Sequence, residues 1–424
     1  MSVRFRFGWV DAGPSPDKVS QSTMAALSVE AGGSIVTSVL DRTNRIYSDE
    51  VVVPLFSVAE WLITNWWHIW YEIEDTGQQR PEFESRHNLA FAGDGFVLPS
   101  LTVTPTSRRM HLHWTRYRPR HTRIEFVDEG QAHVEREELE SELRDLIDAV
   151  LERLHGDPET GLAASNLSRA WNAVNDLDPD EREFSRAASL LGIDPFDVQD
   201  GVADAIVTFW ESADPSVRED ALAAATEDSL TRVAEWLDDA IETLADEEQS
   251  NGWSDVRQAL PPPPLGVEPW ERGYVLARAA RERIGRNGGP IDFGRLGSLA
   301  ILQHETQPPS HRIHGLVAAD TPACVTAPRG ESGRRFLLAR ALGEYLGRSA
   351  PGPGLLSSLS TDSQAQSRAF AAEFLAPAEA LQRRLAGNDV EPERADDLAQ
   401  EFGVSSQLIR RQISNHDLAT IIEY

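Results

Sequence analysis

Four side chains in the segment QHETQPPSHRIHG have the chemistry of a metal site: His304, Glu305, His311 and His314, the last two separated by two residues. Imidazole nitrogen and carboxylate oxygen both ligate zinc. Pro308 and Pro309 interrupt the segment, so this spacing belongs to loop and strand rather than to one helix face. A loop histidine serves equally as an ordinary surface side chain. Cys324 is the single cysteine, which excludes a disulfide framework and any Cys-rich zinc module. Its setting, ACVTAP, reads as a strand, where a thiol packs as a small hydrophobe rather than attacking as a nucleophile. No Ser-His-Asp pattern, glycine-rich phosphate loop or EF-hand loop occurs.

A second stretch has the composition for phosphate contact and base stacking. Between Asp94 and Glu125 there is no acidic residue, while Arg108, Arg109, Arg116, Arg118, Arg120 and Arg123 are interleaved with His111, His113, Trp114, Tyr117 and His121. Strand alternation places His111, His113 and Tyr117 on one face and Leu112, Trp114, Arg116 and Arg118 on the other. Two readings stand: a nucleic-acid surface along residues 108–123, or arginines that pair with acid elsewhere in the chain.

That acid is abundant and local. The formal net charge of -28, from 40 Lys+Arg and 68 Asp+Glu, excludes a generally basic protein that coats nucleic acid. Residues 125–260 hold 36 acidic and 9 basic side chains, whereas residues 1–124 hold 13 of each and residues 261–424 hold 19 and 18. A salt-adapted composition would spread its acid over all three parts; here it marks one segment. Lys18 is the only lysine, so arginine usage reflects the genome more than the fold. A solvated set of helix faces and a surface for a basic partner both account for the acid.

The elements that must position these residues follow from periodicity. VRFRFGW and SDEVVVPLF read as strands, and GFVLPSLTVTPTSRRMHLHWTRYRPRHTRIEFVD supplies more. SVAEWLITNWWHIWYEIED reads as one helix, Ser57 its N-cap and Glu60 completing a capping box. Its Trp61, Trp66, Trp67 and Trp70 are too many for one face, so the helix is either buried throughout or a stacking platform. VEREELESELRDLIDAVLERLHG places Leu139, Leu143, Leu146, Ile147, Val150, Leu151 and Leu154 on one stripe. Two helices hinged at Gly192–Pro195 and an amphipathic helix in EDSLTRVAEWLDDAIETLADEEQ follow. QALPPPPLGVEPW reads as an extended linker. Beyond it come a helix ended by Gly285, strands in RIHGLVA and ACVTAP, helices in GRRFLLARALGEYLG and TDSQAQSRAFAAEFLAP, and a helix-turn-helix-like pair in ADDLAQEFGVSSQLIRRQIS.

This last order of elements, with FAAEFLAP and LAQEFGVSSQLIRRQ, resembles the ImmA/IrrE family of zinc-metallopeptidase-like regulators over residues 268–418. Active members carry HExxH on the first helix, where two histidines one turn apart grip zinc and the glutamate activates water. The resemblance places Arg340 at the first ligand position, Ala341 at the general base, Glu344 at the second ligand and Gln364 at or near the acidic ligand of the next helix, Gln366 being no better. A guanidinium cannot ligate zinc and repels it, and alanine takes no proton. The expectation is therefore no cofactor, zinc included, and an Arg340–Glu344 pair four residues apart filling the space of the metal. Arg410 and Arg411 are available to phosphate in SSQLIRRQIS, but the family uses this segment to close the domain.

The sequence thus predicts a multidomain α+β protein. A mixed α/β domain (1–133) is followed by an acidic helical domain (134–260) and a zincin-like α+β domain (261–424) ending in the helix-turn-helix-like pair. Family resemblance implies a non-catalytic regulator that binds a protein partner, a repressor, toxin or defence component, in a stress, mobile-element or anti-phage system. The alternatives are an active metallopeptidase using Glu344, His304, His311 and His314, and a nucleic-acid-binding component acting through the basic stretch. No apolar run approaches the roughly 20 residues of a membrane span. The opening MSVRFRFGWVDAG lacks the pattern of a signal peptide, so a cytoplasmic location without membrane contact is expected.

Overall fold

The computed structural model describes the chain apart from Met1, Ala12, Arg108, Asn287 and residues 14–16, 78–80, 246–250, 262–265, 297–300, 349–350, 386–388 and 423–424. It is a multidomain α+β fold with several small sheets. The contacts divide it into two units, Met1–Glu74 with Gln78–Ala203 and Asp75–Gly77 with Asp204–Tyr424. This differs from the three-part division expected from charge and the proline run. The acidic helices are shared between the two units, and Pro262–Leu265 of the expected linker lie outside the described residues.

The first unit contains β1 (Val3–Trp9), α1 (Lys18–Ser22), β2 (Met24–Ala31), β3 (Ser34–Ile35), β4 (Val39–Asp41), β5 (Ile46–Ser48), β6 (Val51–Pro54), α2 (Leu55–Thr64), α3 (Trp66–Tyr71), α4 (Pro81–His87), β7 (Leu101–Pro105), β8 (Arg109–Trp114), β9 (Ile124–Phe126), β10 (Gly130–Glu135), α5 (Arg136–His155), α6 (Gly161–Asn175) and α7 (Pro179–Leu191). Strand β2 is central, antiparallel to β1, β3 and β6; β5-β4-β9 and β10-β8-β7 form two further antiparallel sheets. The stripe read on α5 is buried, with Leu151 half-buried at its margin. Two of the helix's acids have a defined task. Glu138 and Glu142 accept from the backbone N–H groups of Val3 (3.2 Å) and Phe5 (2.7 Å), capping the open edge of β1.

The tryptophan-rich segment departs from the expected single helix. It starts at Leu55 after Pro54, so Ser57 lies inside the first turn and donates to the Pro54 carbonyl instead of capping. It breaks at Asn65 into α2 and α3. Trp66, Trp67 and Trp70 are buried, Trp66 packing edge-on against Trp70 and Trp171, and half-buried Trp61 donates its indole N–H to the Ser85 carbonyl. Of the two readings, burial describes Trp66, Trp67 and Trp70.

The chain enters the second unit within α8 (Asp200–Ser212), then runs through α9 (Arg218–Ala224), α10 (Leu230–Ala245), α11 (Asn251–Ala259) and α12 (Pro269–Arg283). There follow β11 (Leu302–Glu305), β12 (Ile313–Val317), β13 (Ala323–Thr326), α13 (Glu331–Gly347), β14 (Gly354–Ser357), α14 (Asp362–Leu375), α15 (Ala378–Gln382), β15 (Asp389–Val390), α16 (Pro392–Phe402), α17 (Ser406–Asn415) and β16 (Thr420–Ile421). The sheet order is β11-β13-β12-β14, with β11 parallel to β13 and the other pairs antiparallel. Helices α12, α13 and α14 stack closely because glycines remove the obstructing atoms. A Cβ on Gly273 would sit 2.4 Å from the Gln366 carbonyl oxygen, and one on Gly343 would sit 2.6 Å from the Phe370 ring. Trp253 of α11 is fully buried in the same core, edge-on to Phe374. Among the described residues no helix is long and apolar enough to cross a membrane.

Candidate functional site

Helix α13 carries Arg340 inward between the sheet and α14, where its side chain is 1% exposed. Its Nε donates to Ser367 Oγ (3.4 Å), Nη1 to His314 Nδ1 (3.1 Å), and Nη2 to the Ser357 carbonyl (2.9 Å) and to Gln364 Oε1. A guanidinium only donates, so His314 accepts at Nδ1 and keeps its proton on Nε2. Burial, and after it the charge of Arg340, pull His314 down to about 3, which keeps the imidazole neutral. Burial likewise lowers Arg340 to about 9, still a cation at neutral pH. Gln364 is locked in turn: its Oε1 also accepts from Ser357 N (2.8 Å), and its Nε2 donates to the Leu355 carbonyl (2.6 Å) and to Asp220 Oδ2 (3.2 Å).

The expected Arg340–Glu344 pair does not form. Glu344 turns to Arg348, 3.0 Å away, because the longer reach of Arg340 is taken by four acceptors on β12, β14 and α14. Burial raises the Glu344 carboxyl, against the opposing pull of Arg348. Helix α9 supplies what spacing could not reveal: Asp220, from REDALAA, meets Gln364 across 144 positions of sequence. Burial pushes Asp220 up to about 6, with the charges of Glu344 and Glu219 adding to it. The same helix region anchors β12's approach, since Ser310 donates to the Ala224 carbonyl (2.5 Å) and Arg312 to those of Ala223 and Ala225 while pairing with Asp75 (3.4 Å).

Zinc does not fit this arrangement. The lone pairs that would ligate it are those Arg340 satisfies, His314 Nδ1 among them, and the Glu344 carboxylate is held by Arg348. The histidine segment fares no better as an alternative. His304 and Glu305 lie exposed on β11, Glu305 facing Arg334 at 3.7 Å, His311 is exposed, and His314 is engaged by Arg340. No group of three or more His, Cys, Asp or Glu that could hold a metal exists among the described residues. Cys324 is fully buried on β13, and burial raises its thiol to about 12.

The residues of the basic stretch fall into different settings. Arg108 lies outside the described residues. Trp114 is a core residue, its indole N–H held by Asp128 at 3.0 Å, and offers no face to a base. Strand β8 ends there, so the expected alternation stops and Arg116 and Arg118 do not share the face of Leu112 and Trp114. Arg116 pairs with Glu129 (3.6 Å) and Arg123 with Asp41 (3.0 Å), both in neighbouring loops and strands rather than on the acidic helices. Arg109 is half-buried on β8, and Arg118 and Arg120 are exposed.

The second unit also holds a groove of about 1000 Å³ between α12, α14 and α17, which no motif in the sequence marks. Its lining includes Arg411 of α17, a helix that buries Leu408, Ile409, Gln412 and Ile413 in the core. No family model matches the chain, and no curated protein matches it either.

Proposed function

We propose that this protein is a non-catalytic regulator of the cytoplasm. Its second unit is a metal-free relative of the ImmA/IrrE peptidase architecture that holds a protein partner rather than cutting it. The observation that carries this reading is the buried guanidinium of Arg340, which spends its donors on lone pairs that a catalytic metal would need. A site of this kind lacks an open coordination position, a general base at Ala341 and a second nitrogen ligand at Glu344. The partner belongs to the class the resemblance implies, a repressor, toxin or defence component of a stress, mobile-element or anti-phage system.

Zinc content per chain, measured on protein purified without a metal-affinity tag, tests the reading. A value near zero is expected; about one equivalent per chain would overturn it.

A further inference from the structure

Arg340 and its partners do not line the groove between α12, α14 and α17. Its lining mixes polar groups with an apolar set, Trp270, Tyr274, Phe336 and Leu408, of which Trp270 is 42% exposed. Two guanidiniums, Arg368 and Arg411, share that lining. Among the described residues neither has a carboxylate within ion-pair distance, and Arg368 is steadied only by the Leu359 carbonyl at 3.0 Å. The other charged groups around the groove are already engaged. Arg278 is taken by buried Glu373 at 2.8 Å, His416 faces the same carboxylate at 3.6 Å, and Glu271 accepts from the Glu268 N–H at the start of α12. The first turn of α13, which has no side-chain cap, contributes Ser332 and Gly333 to the lining. Burial, followed by the charge of Arg411, lowers Arg368 to about 10, against the weaker opposing pull of Asp75.

We propose that this groove holds an acidic segment of a partner protein, its carboxylates on Arg368 and Arg411 and an apolar side chain among Trp270, Tyr274, Phe336 and Leu408. The inference rests on the protein-binding reading above and names its surface. A groove that sets apolar side chains beside two cations combines two known modes of peptide capture, the anchored apolar face and the arginine-read acid. The volume suits a segment of that kind. A DNA duplex is the poorer fit, because a recognition helix must stand clear to enter a major groove. Here Arg411 shares a concave lining with Trp270 of the neighbouring helix.

The test selects binders from a displayed library of random 12-residue peptides on the full chain. Winners are then synthesised and their Kd measured by fluorescence anisotropy in EDTA. Winners rich in Asp or Glu beside Leu or Phe are expected, with affinity falling at least tenfold in Arg411→Glu and in Trp270→Ala. Both positions are solvent-exposed, so the variants fold. Winners that are basic or neutral overturn the proposal. Acidic winners indifferent to Arg411→Glu leave protein binding standing and remove it from this groove. No winners at all would sink both readings. Retention of a random 20-base-pair duplex by wild type, lost in Arg411→Glu and with added salt, would replace the peptide by nucleic acid.

Discussion

Arg340 illustrates how one side chain decides the chemistry of a site. Removing it leaves His314, Gln364 and Ser357 with acceptors facing a cavity. Arg340→Ala is expected to destabilise the chain by about 3–5 kcal/mol in denaturant titration, and Arg340→Lys not to rescue it, because an ammonium cannot span the fork. Asp220 makes a separate, pH-dependent prediction. Its folded value, about 6, lies above the ordinary 3.8, so the folded chain favours the protonated acid. Stability from this group is fully present below the unfolded value and is lost as pH rises through about 6. Asp220→Asn should therefore melt above wild type at pH 8, by about 3 kcal/mol, with the gap closing at pH 4. An unchanged gap across that range would show that the buried carboxyl does not titrate there. Position 340 was singled out in sequence through the family resemblance, but with Glu344 as its expected partner rather than His314, Ser357, Gln364 and Ser367. Asp220 was not, since nothing in REDALAA marks a helix that will meet Gln364.

Helices with a polar face were readable at the level of elements, and those without one were not. Helix α5 kept its stripe because acid on the other faces left one solution. The segment from Leu55 to Tyr71 has apolar residues all round, so periodicity gave no sign of the break at Asn65. Pairing of β4 with β9 was equally hidden, because alternation names a buried face and not a distant partner. Close helix contacts are a third kind of information that composition withholds. Gly273 looks like a weak point within α12, yet it is where the backbone of α14 comes nearest. Gly273→Ala, which elsewhere in a helix would stabilise, should cost about 1–3 kcal/mol here by forcing α12 from α14. A melting temperature at or above wild type would mean that the two helices have room to separate.

At the scale of the molecule, the contacts draw a boundary that charge does not mark. The net acid of residues 125–260 suggested a domain, but acid records which helix faces meet water, not which core the opposite faces enter. Helices α5–α7 complete the first unit and α9–α11 complete the second. Trp253 is the decisive residue, because it lies before the proline run yet is fully buried with Phe374 of α14. Ser254 to Tyr345 (3.1 Å) and Arg257 to the Arg348 carbonyl (2.9 Å) tie the same helix to α13. Trp253→Ala in the full chain should cost about 3–5 kcal/mol. Because α11 is part of that core, amide exchange should accelerate through α13 and α14 while the strands β1–β10 stay protected. Acceleration confined to residues 251–260 would restore the independent helical domain. Spread into α13 and α14 would join α11 to the core of the second unit, as the packing does.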